Sequence, residues 1–213
     1  MEGGEYMNPT LDYVIKKFNI DTNQPSLINI SFSRYGMIDI FRELNFITGA
    51  EIGTEHGTYA EKLCRANPNL KLYCIDPWTS LPYYEGSKKQ EEVDTFYEAA
   101  KGRLASYNCE ILKMTSMEAV KRFKPNSLDF VFIDGNHHFE FVVNDVIHWS
   151  RRVRPGGIVY GHDYSDQFHV REAVNAFMAA SKIKPWFILH KSGLIDSWMY
   201  VRQETDQIHY DNA

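Results

Sequence analysis

The chain has 213 residues, enough for one sizeable α/β domain and too few for two comfortable ones. Its 44% hydrophobic and 24% charged residues and formal net charge of −5 describe a globular chain poorly suited to general nucleic-acid binding. No apolar run is long enough to cross a bilayer, the start "MEGGEYMNPTLDYV" lacks the basic-then-apolar pattern of a secretory signal, and Cys64, Cys74 and Cys109 are too few and too scattered for a disulfide framework or zinc ribbon, so a reducing cytoplasm is the expected compartment, with no membrane or nucleic-acid partner.

In chain order, residues 1–45 carry two helical stretches, "MNPTLDYVIKKF" and "GMIDIFRELNF", read as a cap or lid. From residue 46 apolar runs alternate with helical periodicity. "FITGAEIG" reads as a buried strand, "TYAEKLCRAN" as a helix capped by Thr58, and "LKLYCID" as a second strand. An aromatic loop with Trp78, Tyr83 and Tyr84 follows, placed to cover a crevice, and "SKKQEEVDTFYEAAKGRLASY" is then an amphipathic surface helix. "CEILKM", "SLDFVFID" and "GIVYGHD" continue the strands; "SMEAVKRF" is a short helix, and "FEFVVNDVIHWSRRV" a longer one stopping near the Pro155-Gly156-Gly157 breaker. After the helix "HVREAVNAFMAAS", the strands "PWFILH" and "SWMYVRQ" lie too close for a crossover helix and must pair antiparallel. The sum is a Rossmann-like, doubly wound, mostly parallel seven-stranded sheet with a C-terminal antiparallel hairpin and helices on both faces, occupying residues 46–213.

Ligands on such sheets bind at the carboxyl ends of the strands, and chemistry-bearing residues collect there. Gly53 allows a tight turn after the first strand, and Gly57 lets a ligand or neighbouring chain approach the helix start. Glu51 would repel a dinucleotide's pyrophosphate and attract a cationic amine or sulfonium, which ranks a nicotinamide oxidoreductase low. Asp76, ending the second strand, can accept both hydroxyl protons of a ribose. Asp134 ends the fourth strand and Gly161-His162-Asp163 the fifth, so all point into one crevice.

The pattern E-x-G-x-x-x-G, the strand-end Asp76, D-G-x-H-x-[YF] from Asp134, P-G-G at 155–157 and G-H-D-Y at 161–164 resembles class I S-adenosylmethionine-dependent methyltransferases. More narrowly it is similar to the branch of macrocin-type sugar O-methyltransferases and cephalosporin-hydroxylase-like proteins, over residues 46–202. The resemblance implies S-adenosylmethionine as cofactor, with Glu51, Gly53 and Gly57 shaping its methionine end and Asp134 also in the pocket. Asp76 would take the ribose, and Thr115 and Ser116 would border the adenine. It departs from the commoner G-x-G-x-G turn in having Glu55 at the middle glycine.

In relatives that need a divalent metal, the matching positions select Asp134, His162 and Asp163 as ligands. Magnesium prefers oxygen donors, so an imidazole points to manganese, zinc or iron, or else His162 serves as base or support. His137 occupies the histidine of D-G-x-H and is the candidate general base, the more so because Asn136 cannot accept a proton. His138 begins a helix; Asp145 is read as solvent-facing or capping, and His148 and His190 as structural.

The expected activity is metal-assisted transfer of a methyl group to a hydroxyl of a small molecule, a sugar or phenolic natural product. Self-association into a homo-oligomer stays open. Two rivals stand beside it: a metal enzyme of another reaction class using His137, His162 and a carboxylate, and a cofactor-binding module that does not catalyse.

Overall fold

Short β-branched and aromatic runs become strands in the computed structural model, which describes residues 8–21, 26–80, 88–166 and 168–208. These are β1 (Leu27–Ser31), β2 (Thr48–Ile52), β3 (Lys71–Asp76), β4 (Cys109–Lys113), β5 (Leu128–Ile133), β6 (Val153–Gly161), β7 (Trp186–His190) and β8 (Ser197–Val201). The helices are α1 (Pro9–Lys17), α2 (Met37–Glu43), α3 (Thr58–Ala66), α4 (Gln90–Leu104), α5 (Ser116–Ala119), α6 (Phe139–Ser150) and α7 (Val170–Ala180). Local chemistry marks their starts. Asn8 caps α1 by accepting from Thr10 N and Leu11 N at 3.1 and 3.3 Å, with Pro9 at the first helical position. Thr115 and Glu118 form a reciprocal capping box on α5. At α3 the cap is Gly57, left-handed at φ +72°, and Thr58 is the first helical residue instead of the cap.

The sheet order is β1-β7-β8-β6-β5-β2-β3-β4. All pairs are parallel except β6 with β8 and β7 with β8, so the expected hairpin is present and β8 inserts between β7 and β6. Strand order reverses between β2 and β5, and the crevice above that pair is where such sheets take ligands. The sheet has eight strands rather than seven. The additional strand, β1, lies between the two N-terminal helical stretches and pairs with β7 from Leu27↔Trp186 to Ser31↔His190. Its five residues alternate exposed and buried, a signal too short to stand out in sequence.

Pro155-Gly156-Gly157 does not break the chain before β6 but lies inside it. The β5–β6 register jumps from Leu128↔Val153 to Phe130↔Ile158, so the three residues form a bulge, where a strand proline is tolerated. Gly156 N donates to Arg202 O at 2.7 Å and Arg202 N to Gly157 O at 2.9 Å, which stitches the bulge to the chain leaving β8.

Helices α5, α6 and α7 cover one face of the sheet; α1, α2 and α3 cover the other. On the second face the register aligns Cys74, Glu51, Phe132, Tyr160, Met199 and Phe187 in one row. All of that row is apolar or aromatic except Glu51. Phe41 of α2 is fully buried and stacks on Phe130 with centroids 4.1 Å apart, and its ring lies tilted against Tyr160 with centroids 5.3 Å apart. That contact clamps the N-terminal segment to the sheet. Phe41→Ala is expected to cost about 3–5 kcal/mol of stability, seen as a lower urea midpoint, whereas Phe41→Leu keeps most of it.

Candidate active site

The parallel ladder does not stop where the strands end. Gly53 N bonds Ile75 O at 2.9 Å, Asp134 N bonds Ile52 O at 2.8 Å, and His162 N bonds Ile133 O at 3.1 Å. The turns after β2, β5 and β6 therefore leave the sheet side by side. Gly53 has φ +87°, and a Cβ there would lie 2.0 Å from the carbonyl oxygen of Asp134, so the β2 and β5 exits can meet this closely only with glycine. At Gly57 a Cβ would meet Leu104 and Ala100 of α4 at 3.2–3.3 Å; the glycine serves helix packing.

Glu51 is 2% exposed within the apolar row, and its Oε2 has no hydrogen-bond partner among the described residues. Burial, reinforced by the like charges of Asp134 and Asp76, pushes its pKa well above the usual carboxylate range. Burial keeps this carboxyl neutral in the empty site; an ammonium placed against its unsatisfied oxygen would favour the ionised form. Asp76 accepts Trp78 N on Oδ1 at 2.8 Å and Glu55 N on Oδ2 at 3.0 Å. Each oxygen keeps a further lone pair, compatible with ribose hydroxyls. Burial raises its pKa against the pull of those N–H groups.

Trp78 does not lie over the crevice. It is 1% exposed, its indole N–H donates to Glu55 O at 2.9 Å, and its ring packs 4.9 Å from Tyr97. It ties the turn after β2 to the end of β3. Tyr83 and Tyr84 lie outside the described residues. Thr115 lines a cleft of about 400 Å³ with Pro77, Met114 and Arg122, beyond the ends of β3 and β4. Ser116 turns the other way: its hydroxyl accepts from Trp149 Nε1 at 2.7 Å and donates to Asp145 on α6.

Asp134, His162 and Asp163 each offer one donor atom within 4.8 Å of the others. Asp163 is the hub. Its Oδ1 lies 2.9 Å from His162 Nδ1 and its Oδ2 lies 2.8 Å from His137 Nε2, while Asp134 Oδ1 stands 3.8 Å from His162 Nδ1. Two carboxylates and one imidazole fit a divalent metal that accepts nitrogen better than magnesium does. Burial pushes Asp134 up to about 6 against the attraction of His162 and Arg34. Burial works the same way on Asp163, but the two imidazoles hold it below the usual range. For His137, burial is outweighed by the bond to Asp163, and its pKa rises. His138 is the N-cap of α6, its backbone N–H bonded to Asn136 Oδ1 at 2.9 Å.

Arg34, which no sequence motif marks, completes the site. Its Nη1 lies 2.8 Å from Asp134 Oδ2, and its guanidinium sits 5.3 Å over Tyr35, 5.7 Å over Tyr59 and 6.0 Å over Phe132. Its carbonyl accepts the Tyr59 hydroxyl at 2.7 Å. A cavity of about 280 Å³ opens beside it, walled by Phe32, Tyr35, Leu194 and Ile195 and reaching His162.

A family model described as "Methyltransferase domain" matches residues 50–164, just over half of the chain. The chain therefore belongs to this methyltransferase family, and its Rossmann-like sheet is that of the class I, S-adenosylmethionine-dependent group. Similar solved structures include cofactor-bound Rv0187 from MTB, 15% identical, TM-score 0.59, covering 95% of this chain and 94% of that one. Another is the O-methyltransferase TomG from Streptomyces achromogenes in complex with SAM, 16% identical, TM-score 0.59, over 79% and 78%. "Uncharacterized protein R132" of Acanthamoeba polyphaga mimivirus is 27% identical over 150 residues; the match spans 68% of this chain and 66% of that relative's length. Among the described residues, no helix is long and apolar enough to cross a membrane.

Asp145 neither faces solvent nor caps a helix. It lies three residues after Val142 on the buried stripe of α6, is 5% exposed and accepts from Ser116; burial pushes its pKa up to about 7. A carboxyl whose folded pKa is raised is protonated in the native state where the unfolded chain has already ionised. Its contribution is thus full below about pH 4 and is lost as pH rises through about 7. Melting temperature measured across that window should fall with rising pH in the wild type, and Asp145→Asn should flatten the fall.

Proposed function

We propose that this methyltransferase acts on a hydroxyl of a small molecule, a sugar or phenolic compound, with a divalent metal held by Asp134, His162 and Asp163. The observation that supports this most is the cluster of Asp134, His137, His162 and Asp163 at the ends of β5 and β6, beside a cavity sized for a small acceptor. S-adenosylmethionine would supply an electrophilic methyl on a sulfonium. Its amino-acid end is a zwitterion, and the crevice offers both complements. Glu51 and Asp134 face the ammonium and Arg34 the carboxylate. Asp76 takes the ribose hydroxyls, and Thr115 borders the adenine in the cleft beyond β3 and β4.

Methyl transfer is an in-line displacement, so the acceptor oxygen must be aimed along the breaking bond and relieved of its proton. The cavity walls of Phe32, Tyr35, Leu194 and Ile195 would aim it. Asp163, 2.8 Å from His137 Nε2, would orient the imidazole and raise its basicity for taking the hydroxyl proton. A bound metal would lower the pKa of the acceptor hydroxyl and fix its position. The donor set favours manganese, iron or zinc over magnesium. The similar structure of TomG, an O-methyltransferase in complex with SAM, is in keeping with this reading.

The test is transfer of labelled methyl from S-adenosylmethionine across a panel of sugars, phenols, amines and carbon acids. Hydroxyl acceptors should be labelled, chelation should depress the rate, and manganese should restore it better than magnesium. His137→Ala should lower kcat roughly 10²- to 10⁴-fold while S-adenosylhomocysteine still binds. Label appearing on nitrogen or carbon acceptors alone, or a His137→Ala rate equal to wild type, would overturn the assignment.

A further inference from the structure

The three cysteines, far apart in sequence, meet on the α3 face of the sheet. Cys64 lies near the end of α3, Cys74 in β3, and Cys109 opens β4. Cys64 Sγ stands 3.3 Å from Cys109 Sγ, 45 positions further along the chain, and all three are free thiols. Cys64 and Cys74 are 3% and 0% exposed, whereas Cys109 is only half-buried and so within reach of a small solute. Buried cysteine is usually a small apolar filler, and Cys74 alone would need no other account. A half-exposed thiol in sulfur contact with a buried one is a different arrangement.

We propose that Cys64 and Cys109 are an oxidative modification site, closing into an intramolecular disulfide on contact with a small peroxide. The Cys64 and Cys74 thiols beside the Cys109 sulfur favour its thiolate, and the Lys71 ammonium adds to the effect. Together these hold its pKa below that of an ordinary thiol despite burial. The Cys109 thiolate attacks one oxygen of hydrogen peroxide, the O–O bond breaks, and protonation of the departing hydroxide gives water and a sulfenic acid. Cys64 sulfur then attacks that sulfenic sulfur. The S–O bond breaks, and the hydroxyl leaves as a second water with the Cys64 proton. Two thiols have lost two electrons and the peroxide has gained them.

Bond formation needs the sulfurs to close from 3.3 Å to about 2.05 Å. The crosslink would join the last turns of α3 to the start of β4. It closes a long loop, which restrains the unfolded chain most.

The experiment treats the unmodified chain with a small excess of hydrogen peroxide, followed by intact-mass measurement and peptide mapping without reductant. The expected product has lost two hydrogens, joins the Cys64 and Cys109 peptides, melts several degrees higher, and reverts with dithiothreitol. Cys74→Ser should form the same product. Cys64→Ser should leave a sulfenic acid on Cys109 that dimedone captures. Unreacted thiols after peroxide, a crosslink through Cys74, or a crosslink between two chains would overturn the proposal.

Discussion

The structure hangs on a parallel hydrogen-bond ladder that runs past the ends of its strands. Bonds from Gly53 to Ile75, from Asp134 to Ile52 and from His162 to Ile133 hold three turns in a fixed lateral order. Parallel pairing makes this natural, since every strand delivers its carboxyl end to the same edge of the sheet. Gly53 is the tightest point: any side chain there would push the β2 turn off the Asp134 carbonyl and splay the crevice. Because the turns are positioned by backbone, the side chains they carry can be chosen for charge.

That charge is arranged unevenly. Glu51, Asp76, Asp134 and Asp163 line the strand ends, opposed by Arg34 and the imidazoles of His137 and His162. At the β6 end the carboxylates are already paired, which holds Asp163 ionised and His137 basic. At the β2 end Glu51 Oε2 has no hydrogen-bond partner among the described residues, a costly arrangement in an apolar row that an arriving cation would relieve. The two ends of one crevice are therefore suited to different tasks. On the proposed reading one would receive a cationic group, and the other would supply a base beside a set of metal-compatible donors.

Much of this was readable from sequence because strand-end motifs keep their neighbours close in the chain. Asp134 with His137, and His162 with Asp163, needed only strand order to be brought together. What could not be read depended on contacts across long stretches of chain. Arg34 reaches Asp134 over 100 positions from a short turn after β1, and a lone arginine between serine and tyrosine carries no signal of that. Strand β1 was too short for its alternation to speak, and the bulge at Pro155-Gly156-Gly157 looks in sequence like a break because proline and glycine punctuate loops far more often than strands. Trp78 is buried because its indole finds the Glu55 carbonyl, a pairing no local pattern announces. Asp145 is the case where spacing was sufficient: it shares the α6 stripe with Val142 and Val146, and its polarity disguised its position.

The central claim is that the crevice receives the amino-acid end of S-adenosylmethionine against Glu51. Calorimetric titration of S-adenosylhomocysteine and of 5′-methylthioadenosine, which lacks that end, tests it directly in wild type and in Glu51→Gln. Wild type is predicted to prefer S-adenosylhomocysteine by about tenfold or more, the scale of a charge-assisted hydrogen bond, and the substitution to narrow the gap, leaving the share held by Asp134 and Arg34. Equal affinity of wild type for the two ligands, or no binding of S-adenosylhomocysteine, would contradict it.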